Sequence, residues 1–226
     1  MSLPRPCELV VFDVDGTLQN TFQWWPRVLR AGIARFAAQC GVVIDPPNDA
    51  AACAVVGLRD AQVWGPFLPE SLRHRWEDLR QTVVPLEVEE LSAGRDYLFP
   101  GVRDLLGHLR HLGVKIALAS NCRSGYFAAV CDGQGLGALS DWQFCLDSRG
   151  GCSKSDMVRF ALEAAGAPAG AVMVGDRDSD QEAATAAGVP FVWRVNDRMA
   201  LPAPPDARWH GDPGELLHLL GLPRIS

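Results

Sequence analysis

Short apolar runs between polar residues predict five buried strands. Four runs are strong, at residues 8–12, 114–119, 171–174 and 190–193, and residues 143–146 form a weaker fifth. A continuous apolar run of this length is typical of a strand that is covered on both faces, as in a parallel sheet. The pattern therefore predicts a parallel sheet at the centre of the protein.

Apolar residues at spacings of three and four predict helices between these strands. The helical stripes cover residues 102–112, 157–165 and 182–187, and a glycine, which commonly ends a helix, follows each of them. Strand and helix thus alternate along most of the chain. This alternation favours an α/β fold with a parallel sheet.

Residues 19–96 break this alternation. Apolar residues recur from Phe22 to Cys40 with helical spacing, and residues 70–84 and 86–93 also have a helical pattern. No strand is predicted in this span. We therefore expect a core formed by residues 1–18 and 97–226, with residues 19–96 inserted as a helical domain.

Composition and charge exclude several classes of protein. The 226 residues carry a net charge of −6 and 48% of them are hydrophobic, so the chain is not a disordered one. Because no basic tract is present and no apolar run reaches the roughly 18 residues of a membrane span, we expect neither nucleic acid nor membrane as a partner. Seven cysteines without a Cys-x-x-Cys pair favour free thiols in a reducing cytoplasm. Both a monomer and a homodimer fit these observations.

Polar side chains follow the predicted strands at the points where ligands bind in open α/β sheets, beyond the carboxyl ends of the strands. The candidates are Asp13, Asp15 and Thr17 after the first run, Ser120 and Asn121 after the second, Lys154 at a helix start after the weak strand, and Asp176 and Asp180 after the run at 171–174.

These residue types suit a phosphoryl group. Several carboxylates in one pocket repel one another unless a cation lies among them, and oxygen ligands without His or Cys suit Mg²⁺. Lys154 is one of only two lysines in a chain with 19 arginines, and it would add a second positive charge. Such cations offset the charge of a phosphoryl group and of an attacking carboxylate.

Within such a site the residues divide into three tasks. Asp13 would attack phosphorus and form an aspartyl-phosphate, and Asp15 would protonate the leaving oxygen and then activate water, a role commonly worth ~10²–10⁴-fold. Thr17, Ser120 and the backbone N–H of Asn121 would bind the phosphate oxygens.

Four motifs, in this order, resemble the signature of the haloacid dehalogenase superfamily, near its phosphoglycolate phosphatase-like branch. They are Asp13-Val14-Asp15-Gly16-Thr17-Leu18, Ser120-Asn121, Lys154 and Gly175-Asp176-Arg177-Asp178-Ser179-Asp180. The resemblance covers residues 8–18 and 97–195. It implies a Rossmann-like core with a helical cap at residues 19–96, a phosphoric monoester hydrolase, and Mg²⁺ as the cofactor.

The resemblance also implies a role for each motif residue. It makes Asp13 the nucleophile and a metal ligand, and Asp15 the acid/base and a metal ligand through its backbone carbonyl, with Thr17 orienting the acid/base. Ser120 and Asn121 would bind the phosphate, and Lys154 would hold both the nucleophile and the phosphate. Asp176 would be a metal ligand, with Asp180 beside it or bridging through water.

The substrate and the cap contacts stay open at the level of sequence. Arg59 occupies a stretch where relatives carry a specificity loop, and it is either a group that binds the far end of the substrate or a surface arginine. The expected substrate is a small phosphorylated metabolite. The alternative is a phosphomutase similar to β-phosphoglucomutase, which uses the same core but returns the phosphate to a sugar.

Other chemistries fit less well. Dehalogenase relatives lack an acid at the position of Asp15, and phosphonoacetaldehyde hydrolases use a lysine from the cap, whereas no lysine precedes Lys115 here. A signalling receiver also phosphorylates an aspartate, but such domains are shorter and have no helical insert after the first strand. Intact candidate residues argue against a protein that only binds its ligand.

Overall fold

Six parallel strands form a single sheet. The computed structural model describes residues 7–196 and 207–224, and in this part of the chain the sheet has the strand order β3-β2-β1-β4-β5-β6. The strands are β1 (Leu9–Phe12), β2 (Lys115–Ser120), β3 (Trp142–Cys145), β4 (Ala171–Gly175), β5 (Phe191–Arg194) and β6 (Arg208–Trp209).

The predicted α/β fold with a parallel sheet is confirmed. All five predicted strands form, each within about one residue of the expected bounds. The two-residue β6 was not predicted, because a strand this short carries no recognisable apolar run. The helices are α1 (Trp25–Cys40), α2 (Asp49–Ala54), α3 (Ala61–Trp64), α4 (Trp76–Ser92), α5 (Val102–His111), α6 (Ser124–Gly133), α7 (Leu136–Leu139), α8 (Lys154–Ala164), α9 (Asp178–Ala187) and α10 (Pro213–Leu219).

Two apolar layers cover the sheet. In β1, Leu9 and Val11 point to the layer that contains α8 and α9, whereas Val10 and Phe12 point to the opposite layer with α5 and the insert. This alternation is the ordinary two-residue period of a strand. Because both faces are covered, the strand is apolar throughout, which explains its continuous run in the sequence.

The segment between β1 and α5 is helical, as the periodicity predicts. It contains α1 to α4 and short 3₁₀ segments at Thr21–Gln23, Gly65–Phe67 and Glu70–Arg75. The two helices expected at 70–84 and 86–93 are instead a 3₁₀ turn followed by one helix, α4, which continues through Pro85. α4 is held on both sides, because it packs against α1 and α6, and this packing offsets the loss of one helical hydrogen bond at the proline.

The α1–α4 contact depends on a glycine. A Cβ at Gly32 would lie 2.4 Å from Val83 Cγ2, so the two helices approach too closely there for a larger side chain. The division into a core (1–18 and 97–226) and an insert (19–96) stays a prediction, and residues 1–6, 197–206 and 225–226 lie outside the described part. None of the described helices has the length and apolar character to cross a membrane.

Candidate active site

The ends of two neighbouring strands bring three carboxyl groups together. Phe12 of β1 pairs with Val174 of β4, so the chain leaves both strands at the same edge of the sheet. Asp13 follows β1, Asp176 follows β4, and Asp180 lies in the first turn of α9. One oxygen of each carboxyl lies within 4.8 Å of the others, and all three residues are buried.

A lysine joins this cluster from α8. Lys154 Nζ lies 2.5 Å from Asp13 Oδ1 and 2.5 Å from Asp180 Oδ1. Its position is fixed by the start of the helix, because Ser153 caps α8 and Asp156 bonds back to the Ser153 backbone N–H. The residue expected to hold the nucleophile is therefore in direct contact with it.

The cluster contains three carboxyl groups and one lysine ammonium group. Burial raises the pKa of Asp13 despite the opposing charge of Lys154, and burial and the carboxylates of Asp13 and Asp180 raise the pKa of Asp176 well above its ordinary range. Asp13 Oδ2 is buried and accepts no hydrogen bond from the described residues. A set of buried oxygen ligands with one carboxylate oxygen unsatisfied fits a hard divalent cation such as Mg²⁺.

Asp180 also shapes the loop that carries Asp176. Its Oδ2 accepts hydrogen bonds of 3.1 Å from the backbone N–H groups of Asp176 and Arg177. Close approach of the two loops requires glycine at position 16, because φ is +90° there and a Cβ would lie 2.3 Å from Asp176 Oδ2. The two strand-exit loops therefore pack directly on each other.

Asp15 is fixed through one of its two oxygens. Oδ1 accepts hydrogen bonds of 2.6 Å from the Thr21 hydroxyl, 2.6 Å from the Tyr126 hydroxyl and 3.2 Å from the Gln19 amide. Burial raises the pKa of Asp15, and these three donors oppose that rise. Oδ2 accepts no hydrogen bond from a side chain among the described residues, so it is the oxygen that is available to carry a proton.

The other predicted phosphate binders lie at the same edge, with different contacts. The Thr17 hydroxyl donates to Asp176 Oδ1 at 3.4 Å. The hydroxyl groups that donate to Asp15 belong instead to Thr21 and Tyr126. Ser120 is buried at the end of β2. Asn121 donates from its side-chain amide to Gly57 O of the insert at 3.1 Å, and its expected backbone contact with phosphate stays a prediction.

Several contacts were missed at the sequence level. Asn196 Nδ2 donates to Asp176 Oδ2 at 3.0 Å and to Gly16 O at 3.3 Å. It follows the end of β5 by two residues, and this position beyond a strand is the signal in the sequence that indicates it. Tyr126 lies on α6, and no motif spacing links it to Asp15.

A cavity opens beside Asp15, between the insert and the core. Its volume is about 120 Å³, and its walls come from the 55–64 segment, α4, α6 and the loops after β2 and β3. Arg59 is exposed and is not among the lining residues. Its expected contact with the substrate stays a prediction.

Comparison with known proteins gives a family match over most of the chain. The model of the haloacid dehalogenase-like hydrolase family matches residues 7–188. Phosphoglycolate phosphatase of Pseudomonas savastanoi pv. phaseolicola is 28% identical over 201 residues, which cover 82% of this chain and 68% of that protein. Tyrosine-protein kinase PtkA of Mycobacterium tuberculosis H37Rv is 29% identical over 198 residues, which cover 82% of this chain and 61% of that protein.

The fold is similar to that of solved structures. A haloacid dehalogenase-like family hydrolase from Streptococcus pneumoniae superposes with a TM-score of 0.73 at 18% sequence identity. The superposition covers 94% of this chain and 97% of that one.

Proposed function

The chain belongs to the haloacid dehalogenase-like hydrolase family and is a phosphoric monoester hydrolase, and we propose that it hydrolyses a small phosphorylated metabolite with Mg²⁺ through an aspartyl-phosphate on Asp13. The resemblance of its motifs to this family is thereby confirmed. The observation that carries the proposal is the state of Asp13, whose Oδ1 is held by Lys154 and whose buried Oδ2 has no described partner.

The acidic cluster supports the choice of cofactor. Asp13 and Asp176, with the backbone carbonyl of Asp15, would hold Mg²⁺, and Asp180 is close enough to serve beside them. When bound, the ion supplies positive charge that offsets the repulsion between the phosphoryl group and the surrounding carboxylates.

The first half-reaction uses Asp13 and Asp15. A carboxylate oxygen of Asp13 attacks phosphorus, and the bond from phosphorus to the leaving oxygen breaks. The proton on Asp15 Oδ2 passes to that leaving oxygen, so the alcohol departs neutral. Lys154 keeps the attacking carboxyl oriented and adds positive charge beside the transferring oxygens.

The second half-reaction restores the enzyme. Asp15, now ionised, takes a proton from a water molecule as that water attacks phosphorus of the aspartyl-phosphate. The bond from phosphorus to Asp13 breaks, and inorganic phosphate leaves. The hydrogen bonds from Thr21 and Tyr126 to Asp15 Oδ1 keep Oδ2 directed at the reacting atoms in both steps.

A phosphate-release screen tests the proposal. The panel contains phosphoglycolate, which gives the relatives their name, together with sugar phosphates, nucleotides and pyrophosphate, each measured with Mg²⁺ and with a chelator. We expect Mg²⁺-dependent release from at least one phosphomonoester and none from the Asp13→Asn variant. Full activity of that variant would show that Asp13 is not the nucleophile. Formation of a sugar phosphate isomer without free phosphate would instead identify the phosphomutase.

A further inference from the structure

The cavity beside Asp15 is placed to hold the organic part of the substrate. Asp15 and Asn121 line it, whereas Asp13, Lys154 and Asp176 do not, so the cavity adjoins the phosphoryl centre without including it. An apolar cavity of about 150 Å³ accommodates benzene. A volume of about 120 Å³ therefore matches the size of a compact leaving group.

Aromatic side chains form one part of the wall. Trp25 and Trp64 both line the cavity, and their ring centroids lie 5.5 Å apart at an interplanar angle of 72°. Val55, Val56 and Leu58 add apolar surface from the same side. Tryptophan rings attract cations through the negative charge of their faces, and quaternary and protonated amines bind in sites of this kind.

One buried carboxyl in the wall has no partner. Glu87 of α4 is only 4% exposed, it lines the cavity, and no described residue forms a hydrogen bond or ion pair with its carboxyl. Burial raises the pKa of Glu87 well above its ordinary range, the charge of Asp15 adds to this rise, and Arg80 opposes it. A buried carboxyl without a partner is costly unless a ligand satisfies it.

The arginines of the wall are already paired. Arg80 lies 3.2 Å from Glu77, and Arg123 lies 2.8 Å from Asp60 and 2.9 Å from Asp147. The lining thus offers an incoming ligand a carboxyl group and aromatic rings rather than an unpaired cation. A second carboxylate, like that of phosphoglycolate, would find no unpaired cation in this lining, whereas an ammonium group would favour the ionised form of the Glu87 carboxyl and pair with it.

We propose that the site takes the phosphate monoester of a compact amino alcohol, with the ammonium group bound between the Glu87 carboxylate and the rings of Trp25 and Trp64. This inference rests on the proposed phosphatase function and adds its substrate class. Glu87 is then the residue that selects the substrate by charge, while Asp13, Asp15 and Lys154 act on the phosphoryl group that all substrates share.

Three substrates of nearly equal size test the inference. They are 2-aminoethyl phosphate, 2-hydroxyethyl phosphate and phosphoglycolate, which present a cation, a neutral hydroxyl and an anion at the same end. We expect kcat/KM of the wild-type enzyme to be at least tenfold higher for the amine than for the hydroxyl compound, and lowest for phosphoglycolate. Equal values for amine and hydroxyl, or a preference for phosphoglycolate, would overturn the inference.

A matched pair of variants assigns the preference to Glu87. Glu87→Gln should lower the ratio of amine to hydroxyl kcat/KM by tenfold or more. Glu89→Gln changes an exposed residue two positions along the same helix and should leave this ratio unchanged. A ratio that Glu87→Gln does not alter would contradict the role of Glu87, and circular dichroism verifies that both variants are folded.

Binding separates this inference from the proposed function. Calorimetric titration of the Asp13→Asn variant with the same three compounds measures affinity without turnover. We expect the amine to bind at least tenfold more tightly than the hydroxyl compound, and equal affinities would overturn the inference whatever the activity. Mg²⁺-dependent hydrolysis of 2-hydroxyethyl phosphate without any preference for the amine would leave the phosphatase function standing and remove only the substrate class.

Discussion

The Tyr126 hydroxyl donates a 2.6 Å hydrogen bond to Oδ1 of Asp15, although 111 residues separate the two in sequence. Burial and the negative charge of Asp15 raise the pKa of Tyr126 well above its ordinary range, so its hydroxyl stays protonated and remains a donor. Because Thr21 and Gln19 also donate to Oδ1, a proton on Asp15 is confined to Oδ2, as the proposed mechanism requires.

Replacing Tyr126 with phenylalanine should change the titration of Asp15. The hydrogen bond from Tyr126 favours the ionised form of Asp15, so its loss in the variant raises the pKa of Asp15 further. Transfer of a proton from Asp15 requires the protonated form. The alkaline limb of the kcat/KM profile should therefore move to higher pH, while kcat falls about tenfold because Asp15 is less well oriented. Tyr97→Phe is the control, since that hydroxyl donates to Glu90, and an equal shift in this variant would contradict the assignment.

The two lysines of the chain should differ in their effect on stability. Lys154 is buried between Asp13 and Asp180, and its replacement by methionine leaves carboxylates buried without a counter-charge. We expect Lys154→Met to lower the free energy of unfolding by about 3–5 kcal/mol and to abolish turnover. Lys115 forms an exposed pair with Asp141, so Lys115→Met should cost less than about 1 kcal/mol. Urea unfolding of both variants measures the difference, and equal losses would refute this account of the cluster.

Asn196 should affect the binding of Mg²⁺ without touching the substrate. Its amide holds Asp176 Oδ2, and loss of a residue that orients a metal ligand commonly weakens metal binding about 10–100-fold. We expect Asn196→Ala to raise the Mg²⁺ concentration at half-maximal activity by about tenfold, with a matching change in calorimetric affinity. Asn48→Ala, which removes the cap of α2, should leave both values unchanged. An unaltered Mg²⁺ dependence in Asn196→Ala would show that the contact does not serve the metal site.

The burial of Glu87 should lower the free energy of unfolding by an amount that depends on pH. Its pKa is higher in the folded state than in the unfolded one, so the unfolded chain loses this proton first as the pH rises, and unfolding becomes easier above the unfolded pKa. Glu87→Gln removes the ionisation. The variant should gain stability over the wild type as the pH rises from 5 to 8, reaching about 1 kcal/mol. Thermal unfolding across this range measures the gap, and a gap independent of pH would contradict the burial of an ionisable carboxyl at this site.

The sheet and the motif residues follow from local features of the sequence. Each buried strand is a short apolar run, and the parallel arrangement brings residues 13, 120 and 176 to one edge whatever the details of packing. The acids and Lys154 could therefore be placed together from their positions after strands and at helix starts. The structure adds the distances and shows that Asp180 both pairs with Lys154 and accepts from the loop after β4.

Contacts that depend on tertiary packing could not be predicted. Tyr126 reaches Asp15 from α6, which packs against α4, and no spacing in the sequence encodes that approach. Likewise, the pattern of α4 gives no reason to expect Glu87 to be buried, because charged residues usually lie on the solvated face of a helix. Helix propensity alone would also predict that α4 ends at Pro85. The helix continues because its neighbours on both sides hold it in place.

Mapping of the phosphoryl-enzyme tests the central claim most directly. The enzyme is mixed with Mg²⁺ and a phosphomonoester that it hydrolyses in the phosphate-release screen. The reaction is quenched in acid within one turnover, and the protein is digested and analysed by mass spectrometry. We predict one phosphoryl group on the peptide that contains Asp13 and none on the same peptide of Asp13→Asn. Phosphate release at the full rate with no phosphoryl group at Asp13, or with the group on another residue, would contradict the account.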